Sequence, residues 1–237
     1  MNNKIIIALD FGQFPQARQA VASLPAAVFF KVGLQGFLEY GDAIIAELRE
    51  KGKKIFLDLK FHDIPNTVHG AVISALKYEP DFLTIHLAGG KAMAQKAVEA
   101  AGRRPGLTVL GVTVLTSLAD SDLLQVGMNP PVTDRVLQLI EMGMEAGVRG
   151  FVCSPQEIVP LRQRCGREMI LVTPGIRPQW AEKDDQKRVF APQTAIEAGS
   201  DYLVIGRPVT LAPDPAAAFA RIVAEIGRDD QFIKKTP

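Results

Sequence analysis

Asp58, Lys60 and Asp63 fall in one short stretch with the spacing D-x-K-x-x-D. Carboxylates and ammonium groups this close favour one another's charged forms. Asp10 and Lys31 stand at the ends of two other apolar runs, KIIIALD at 4–10 and AVFFKV at 27–32. Any one of these residues could be an ordinary strand-end salt bridge. As a set they read differently. Losing one member of a buried charged set typically costs about 3–5 kcal/mol, so stability gives little reason to build one, whereas active sites require tuned ionisation. A second chemistry is legible at Ile205-Gly206-Arg207-Pro208. Glycine lets the backbone approach an anion, and arginine offers a planar fork of donors suited to phosphate.

The elements that must position these groups follow a repeating pattern. Short runs rich in Ile, Val, Leu and Phe occur at 4–10, 27–32, 53–59, 81–86, 107–114, 149–153, 168–172 and 201–205. Near-continuous apolar runs suit strands buried on both faces, as in a parallel sheet. Helical patterns lie between them at 34–51, 66–79, 89–101, 131–146, 155–165 and 191–199, punctuated by Gly52, Gly166 and Pro155. The spacing is that of one β/α unit and predicts a (β/α)8 TIM barrel formed by a single α/β domain over 1–237, with 227–237 a fraying polar tail. A doubly wound open sheet is the alternative, but the first run ends in Ala-Leu-Asp-Phe-Gly rather than G-x-G-x-x-G. The strand ends converge at a barrel's mouth, and the long connections 115–130 and 173–190 belong to the same face, where lids are found.

Composition narrows the function. The 237 residues are 47% hydrophobic and 22% charged, with a net charge of +1, which argues against general nucleic-acid binding. Trp180, Tyr40 and Tyr78 form no stacking stripe. Cys153 and Cys165 have no zinc-ligand spacing and read as reduced thiols. His62 and His86 read as structural, so no metal is expected. With no signal peptide and no apolar stretch of membrane-spanning length, a cytoplasmic protein that binds no membrane is expected.

The string LDLKFHDIPNT at 57–67 resembles the signature of the orotidine 5'-phosphate decarboxylases. The resemblance continues, in the family's order, through ALD at 8–10, KVG at 31–33, VTVLTS at 112–117, TPGIRP at 173–178 and IGRPVT at 205–210. D-x-K-x-x-D alone also marks barrels acting on sugar phosphates; the segments together are specific. The resemblance implies a cofactor-independent homodimer acting on a nucleotide. It implies that Lys60 protonates C6 of the pyrimidine as carbon dioxide leaves, that Asp58 sits near the substrate carboxylate, and that Lys31 and Asp10 position the ribose hydroxyls. Asp63 and Thr67 would reach the neighbouring subunit's site. Thr116 and Ser117 would contact the pyrimidine edge, and Arg177, Gln186, Gly206 and Arg207 would grip the phosphate.

Two rivals remain. One is a magnesium-dependent sugar-phosphate enzyme of the same superfamily, such as a hexulose-phosphate synthase or keto-gulonate-phosphate decarboxylase. The LTS and TPGIRP segments favour the pyrimidine nucleotide instead. The other is a non-catalytic phosphate-ligand sensor, which would be expected to have lost a member of the charged array.

Overall fold

A computed structural model describes residues 1–129, 131–181 and 190–227. Eight strands follow one another in sequence order around a closed barrel: β1 Ile5–Ala8, β2 Phe29–Gly33, β3 Lys54–Phe61, β4 Phe82–His86, β5 Thr108–Val112, β6 Gly150–Val152, β7 Ile170–Thr173 and β8 Tyr202–Ile205. The α-helices among the described residues are α1 Phe14–Ala22, α2 Leu34–Glu50, α3 Pro65–Ala75, α4 Lys91–Ala101, α5 Asp120–Gln125, α6 Val132–Glu145, α7 Ile158–Cys165, α8 Pro192–Ala198, α9 Arg207–Thr210 and α10 Pro215–Gly227. The expected (β/α)8 barrel is therefore the observed fold. Contacts group the chain into two compact units, Met1–Ile55 with the part from Thr173 onward, and Phe56–Val172.

In the first unit β1 pairs in parallel with both β2 and β8, setting Ile7 opposite Phe30 on one side and Ile205 on the other. Ile5, Ile6 and Ile7 are wholly buried, which is why this run has no polar alternation. On α10 the buried residues Ala218, Phe219, Ile222 and Ile226 recur at helical spacing and form its inward face. A departure from regular geometry occurs in α2, where Tyr40 has non-helical angles (φ −150°, ψ 24°).

In the second unit β3 pairs with β4, β4 with β5, β5 with β6 and β6 with β7, all in parallel. The β3–β4 register shifts between Leu57 and Phe61, and Lys60 adopts φ 48° there. This bulge carries β3 two residues past the boundary expected at 59. The buried faces of α3 (Val68, Val72, Ala75) and α4 (Met93, Ala94, Ala97, Ala100, Ala101) consist mainly of small or β-branched residues, which allows the two helices a close approach. The connection 115–130, read from the sequence as a long loop, contains α5. Its start is fixed by the Asp122 carboxylate, which accepts the Ala119 backbone N–H at 2.8 Å. Helices α1, α9 and α10 lie outside those named from the sequence, and residues 228–237 of the expected tail lie outside the described residues.

Helix ends follow the punctuation: Gly52 (φ 63°) and Gly166 (φ 78°) take the left-handed conformations that end α2 and α7. Elsewhere glycine makes space. A methyl group on Gly111 of β5 would lie 2.7 Å from Leu87 Cδ1 and 2.9 Å from its Cγ, and one on Gly143 of α6 would lie 3.2 Å from the same side chain. Leu87 is wholly buried and has no room to retreat. Gly111→Ala is therefore expected to destabilise the fold by about 1–3 kcal/mol through overpacking, read as a lower urea midpoint at unchanged slope.

Candidate functional site

Asp58 and Lys60 stand two residues apart near the C-terminal end of β3, at its bulge. The Lys60 Nζ donates to Asp58 Oδ1 at 2.8 Å. That oxygen also accepts the Thr84 hydroxyl from β4, at 3.1 Å. The same hydroxyl accepts the Lys60 backbone N–H at 2.9 Å. Asp58 and Lys60 are half-buried and Thr84 is wholly buried, so the pair opens to solvent on one side and rests on the strand wall on the other.

Asp10 and Lys31 form the corresponding pair in the first unit. Lys31 is the middle residue of β2 rather than its end, and it donates from Nζ to Asp10 Oδ1 at 2.9 Å. The lysine is buried while the carboxylate is exposed. Gly33 leaves them room: a methyl group there would come within 3.1 Å of the ammonium nitrogen and 3.2 Å of the carboxylate oxygen. The Tyr40 hydroxyl contacts the carbonyls on either side of Asp10, Leu9 at 3.2 Å and Phe11 at 2.9 Å, and so fixes the turn that carries it. Burial first, then the nearby Asp10 and Glu39 charges, raise the Tyr40 pKa above its ordinary 10.0, so the phenol stays a donor.

The remaining predicted residues stand on the connections and helix starts that follow the strands. Asp63 is exposed between β3 and α3, and its Oδ1 accepts the Ile64 N–H at 2.6 Å. Thr67 is exposed in the first turn of α3. Thr116 and Ser117 are exposed on the connection after β5. Arg207 opens α9 and is exposed, following Gly206 at the end of β8. Among the described residues, a methyl group on Gly206 would meet Ala8 alone, in ordinary contact at 3.5 Å. Arg177 is buried on the connection after β7, where its backbone N–H donates to the Phe190 carbonyl at 2.9 Å. A cavity of ≈ 440 Å³ opens beside it, lined by Arg177, Pro178, Phe190 and Thr194 among others. Gln186 lies outside the described residues.

A family model described as Orotidine 5'-phosphate decarboxylase / HUMPS family matches residues 3–222. The chain belongs to this family. It is 46% identical over 226 residues to a Synechocystis sp. protein named orotidine 5'-phosphate decarboxylase, covering 94% of this chain and 98% of the relative. It is 47% identical over 224 residues to a Thermobifida fusca protein of the same name, covering 94% and 95%. Among solved structures it matches an orotidine 5'-phosphate decarboxylase from Lactobacillus acidophilus with TM-score 0.83 and 38% identity, covering 94% of this chain and 98% of the other. An uncharacterized conserved protein from Geobacillus kaustophilus matches with TM-score 0.82 and 33% identity, covering 94% and 100%.

Within this family member three features went unread in the sequence. Thr84 offered one signal, a hydroxyl in the otherwise apolar run FLTI. Gly33 stands in the KVG segment, but its role and that of Tyr40 were not legible, because both depend on chain that approaches from elsewhere. His62 and His86 stack with centroids 5.2 Å apart and planes 16° from parallel. His86 Nδ1 accepts the Ala88 N–H at 3.3 Å, so that nitrogen carries no proton. Burial first, then the His62 and Lys60 charges, lower the His86 pKa below its ordinary 6.5. A histidine with a depressed folded pKa stabilises the fold above its unfolded pKa and loses that contribution as pH falls through the folded value. NMR titration is expected to place His86 below 6.5, and His86→Gln to flatten the fall in stability on acidifying below that pH.

Proposed function

We propose that this chain decarboxylates orotidine 5'-monophosphate to uridine 5'-monophosphate and carbon dioxide, the last step of de novo UMP synthesis, as a cofactor-independent single-domain enzyme. Family membership over residues 3–222 supports the reaction. The observation that carries the mechanism is the Lys60 ammonium held 2.8 Å from Asp58 at the end of β3.

The chemical difficulty lies at C6. When the bond from C6 to the carboxylate breaks, its electron pair stays in an sp² orbital in the ring plane, where the π system cannot delocalise it. The remaining remedy is electrostatic: a cation fixed in advance where the negative charge develops. Lys60 fills that role and then gives its proton to C6, leaving the lysine neutral. Asp58 orients the ammonium and lies near the substrate carboxylate. Two like charges about 4 Å apart repel by roughly 4 kcal/mol at an effective dielectric of 20, before screening by the lysines. Stabilisation of the carbanion by Lys60 is therefore the larger effect and relief of the Asp58 repulsion the smaller.

Lys31 and Asp10 position the ribose hydroxyls, and Thr116 and Ser117 the pyrimidine edge. Gly206 and Arg207 hold the phosphate, with Arg177 and Gln186 from the connection after β7. A methyl group on Gly206 would touch Ala8 at 3.5 Å without a clash, so among the described residues a ligand's close approach to the backbone explains glycine there better than packing does. Binding energy from the phosphate, which does not react, can then be used to assemble the charged groups around C6. Asp63 and Thr67 serve the neighbouring subunit's site in a cytoplasmic homodimer. Their exposure beside Ile64, itself 68% exposed, supports an interface role.

Loss of orotate absorbance with formation of uridine monophosphate, in the presence of EDTA, is the expected behaviour of the purified protein. No reaction with EDTA or with added magnesium would overturn the decarboxylase reading. Lys60→Ala is expected to lower kcat by roughly 10²–10⁴-fold with the fold intact by circular dichroism, and substantial residual turnover would count against Lys60 as the donor. Mixing inactive Asp63→Ala with inactive Lys60→Ala subunits is expected to restore part of the activity, since one of the two sites in a mixed dimer would be intact. No recovery after subunit exchange would count against a shared site.

A further inference from the structure

Thr84 is wholly buried near the middle of β4, where its neighbours Phe82, Leu83 and Ile85 are apolar. A buried hydroxyl must find partners or lose the bonds it had in water, so an apolar strand has no packing reason to keep one. Its single proton goes to Asp58 Oδ1 at 3.1 Å, and its lone pairs receive the Lys60 backbone N–H at 2.9 Å. That N–H belongs to the residue whose φ is 48°, at the point where β3 shifts register against β4. A bulge takes backbone groups out of the ladder and leaves them needing other partners. Thr84 supplies the acceptor for this one.

We propose that Thr84 is a positioning residue, whose one hydroxyl holds both the left-handed backbone of Lys60 and the carboxylate to which the Lys60 ammonium binds. Left-handed backbone is unfavourable for a side chain with a Cβ and persists only where its surroundings determine it. With Lys60 as the proton donor, the hydroxyl sets where the ammonium stands without touching substrate. Valine at 84 keeps the shape and removes both bonds; serine keeps the hydroxyl and removes the methyl group. Serine and alanine differ by the hydroxyl oxygen alone, so the Thr84→Ser and Thr84→Ala pair carries the same comparison if Thr84→Val does not fold.

The test has two readouts on the full-length protein. The first is hydrogen exchange at the Lys60 amide, which needs no substrate. The second is kcat and KM with orotidine 5'-monophosphate. In Thr84→Val, or Thr84→Ala, the Lys60 amide is expected to exchange at least ~10-fold faster, and kcat to fall on the order of 10–100-fold with KM within about threefold. Thr84→Ser is expected to stay within about threefold of wild type in both readouts. Unchanged exchange in the variants without the hydroxyl would overturn the clamp. Faster exchange with unchanged kcat would overturn the positioning role, and Thr84→Ser as impaired as Thr84→Val would assign the effect to the methyl group instead. A wild-type protein that does not turn over the nucleotide would overturn the decarboxylase reading alone, with the exchange measurement still deciding the clamp.

Discussion

A charge in an apolar strand must be paired, and this requirement organises much of the structure. Lys31 and Lys60 each stand in a strand of buried aliphatic and aromatic residues, and each meets an aspartate, at 2.9 Å and 2.8 Å. Burial withdraws water from an ammonium group, and the partner carboxylate restores part of what is lost. The pairs in turn constrain their surroundings. Gly33 has no side chain because one would press on the Lys31–Asp10 pair. Tyr40 leaves helical geometry within α2 and reaches the two carbonyls that flank Asp10. Thr84 places a hydroxyl under Asp58.

The second pair carries a backbone cost that the first does not. Lys60 sits at φ 48°, a conformation that costs a residue with a Cβ on the order of 1–3 kcal/mol. A regular strand would have avoided this cost, but it would also have kept the lysine N–H in the ladder and the side chain in the strand's own pleat. At the bulge the Lys60 ammonium meets the carboxylate two residues earlier in the chain. Local strain of this kind, held by neighbours on an adjacent strand, fits a group whose exact direction matters more than its contribution to stability.

The proposed division of labour follows from the same physics. A reaction that leaves an electron pair in the plane of an aromatic ring is helped mainly by charges already in place, because rearranging them at the moment of reaction would cost what they supply. Charges already in place need rigid supports, and strand ends in a barrel are rigid. In the proposed division the phosphate falls to the short turn Gly206–Arg207, where α9 begins.

Much of this was written in the chain itself. Runs such as Ile5-Ile6-Ile7 declare a doubly buried strand because no residue in them could face water without loss, and their repetition between helical patterns, together with the family resemblance, favours a barrel over an open sheet. The charges at Asp10, Lys31, Asp58 and Lys60 stand out for the opposite reason, as ionisable groups where hydrophobic burial predicts none. Helix ends were also legible, since Gly52 and Gly166 act through their own backbone angles. The bulge at Lys60, the kink at Tyr40 and the role of Thr84 were decided only by the tertiary structure. The acceptor of the Lys60 N–H lies 24 residues away on another strand, and the register of β3 on β4 determines that it arrives there. Residue type and period are local properties and survive in the sequence; which backbone group is left without a ladder partner, and which side chain then meets it, is a property of two strands together.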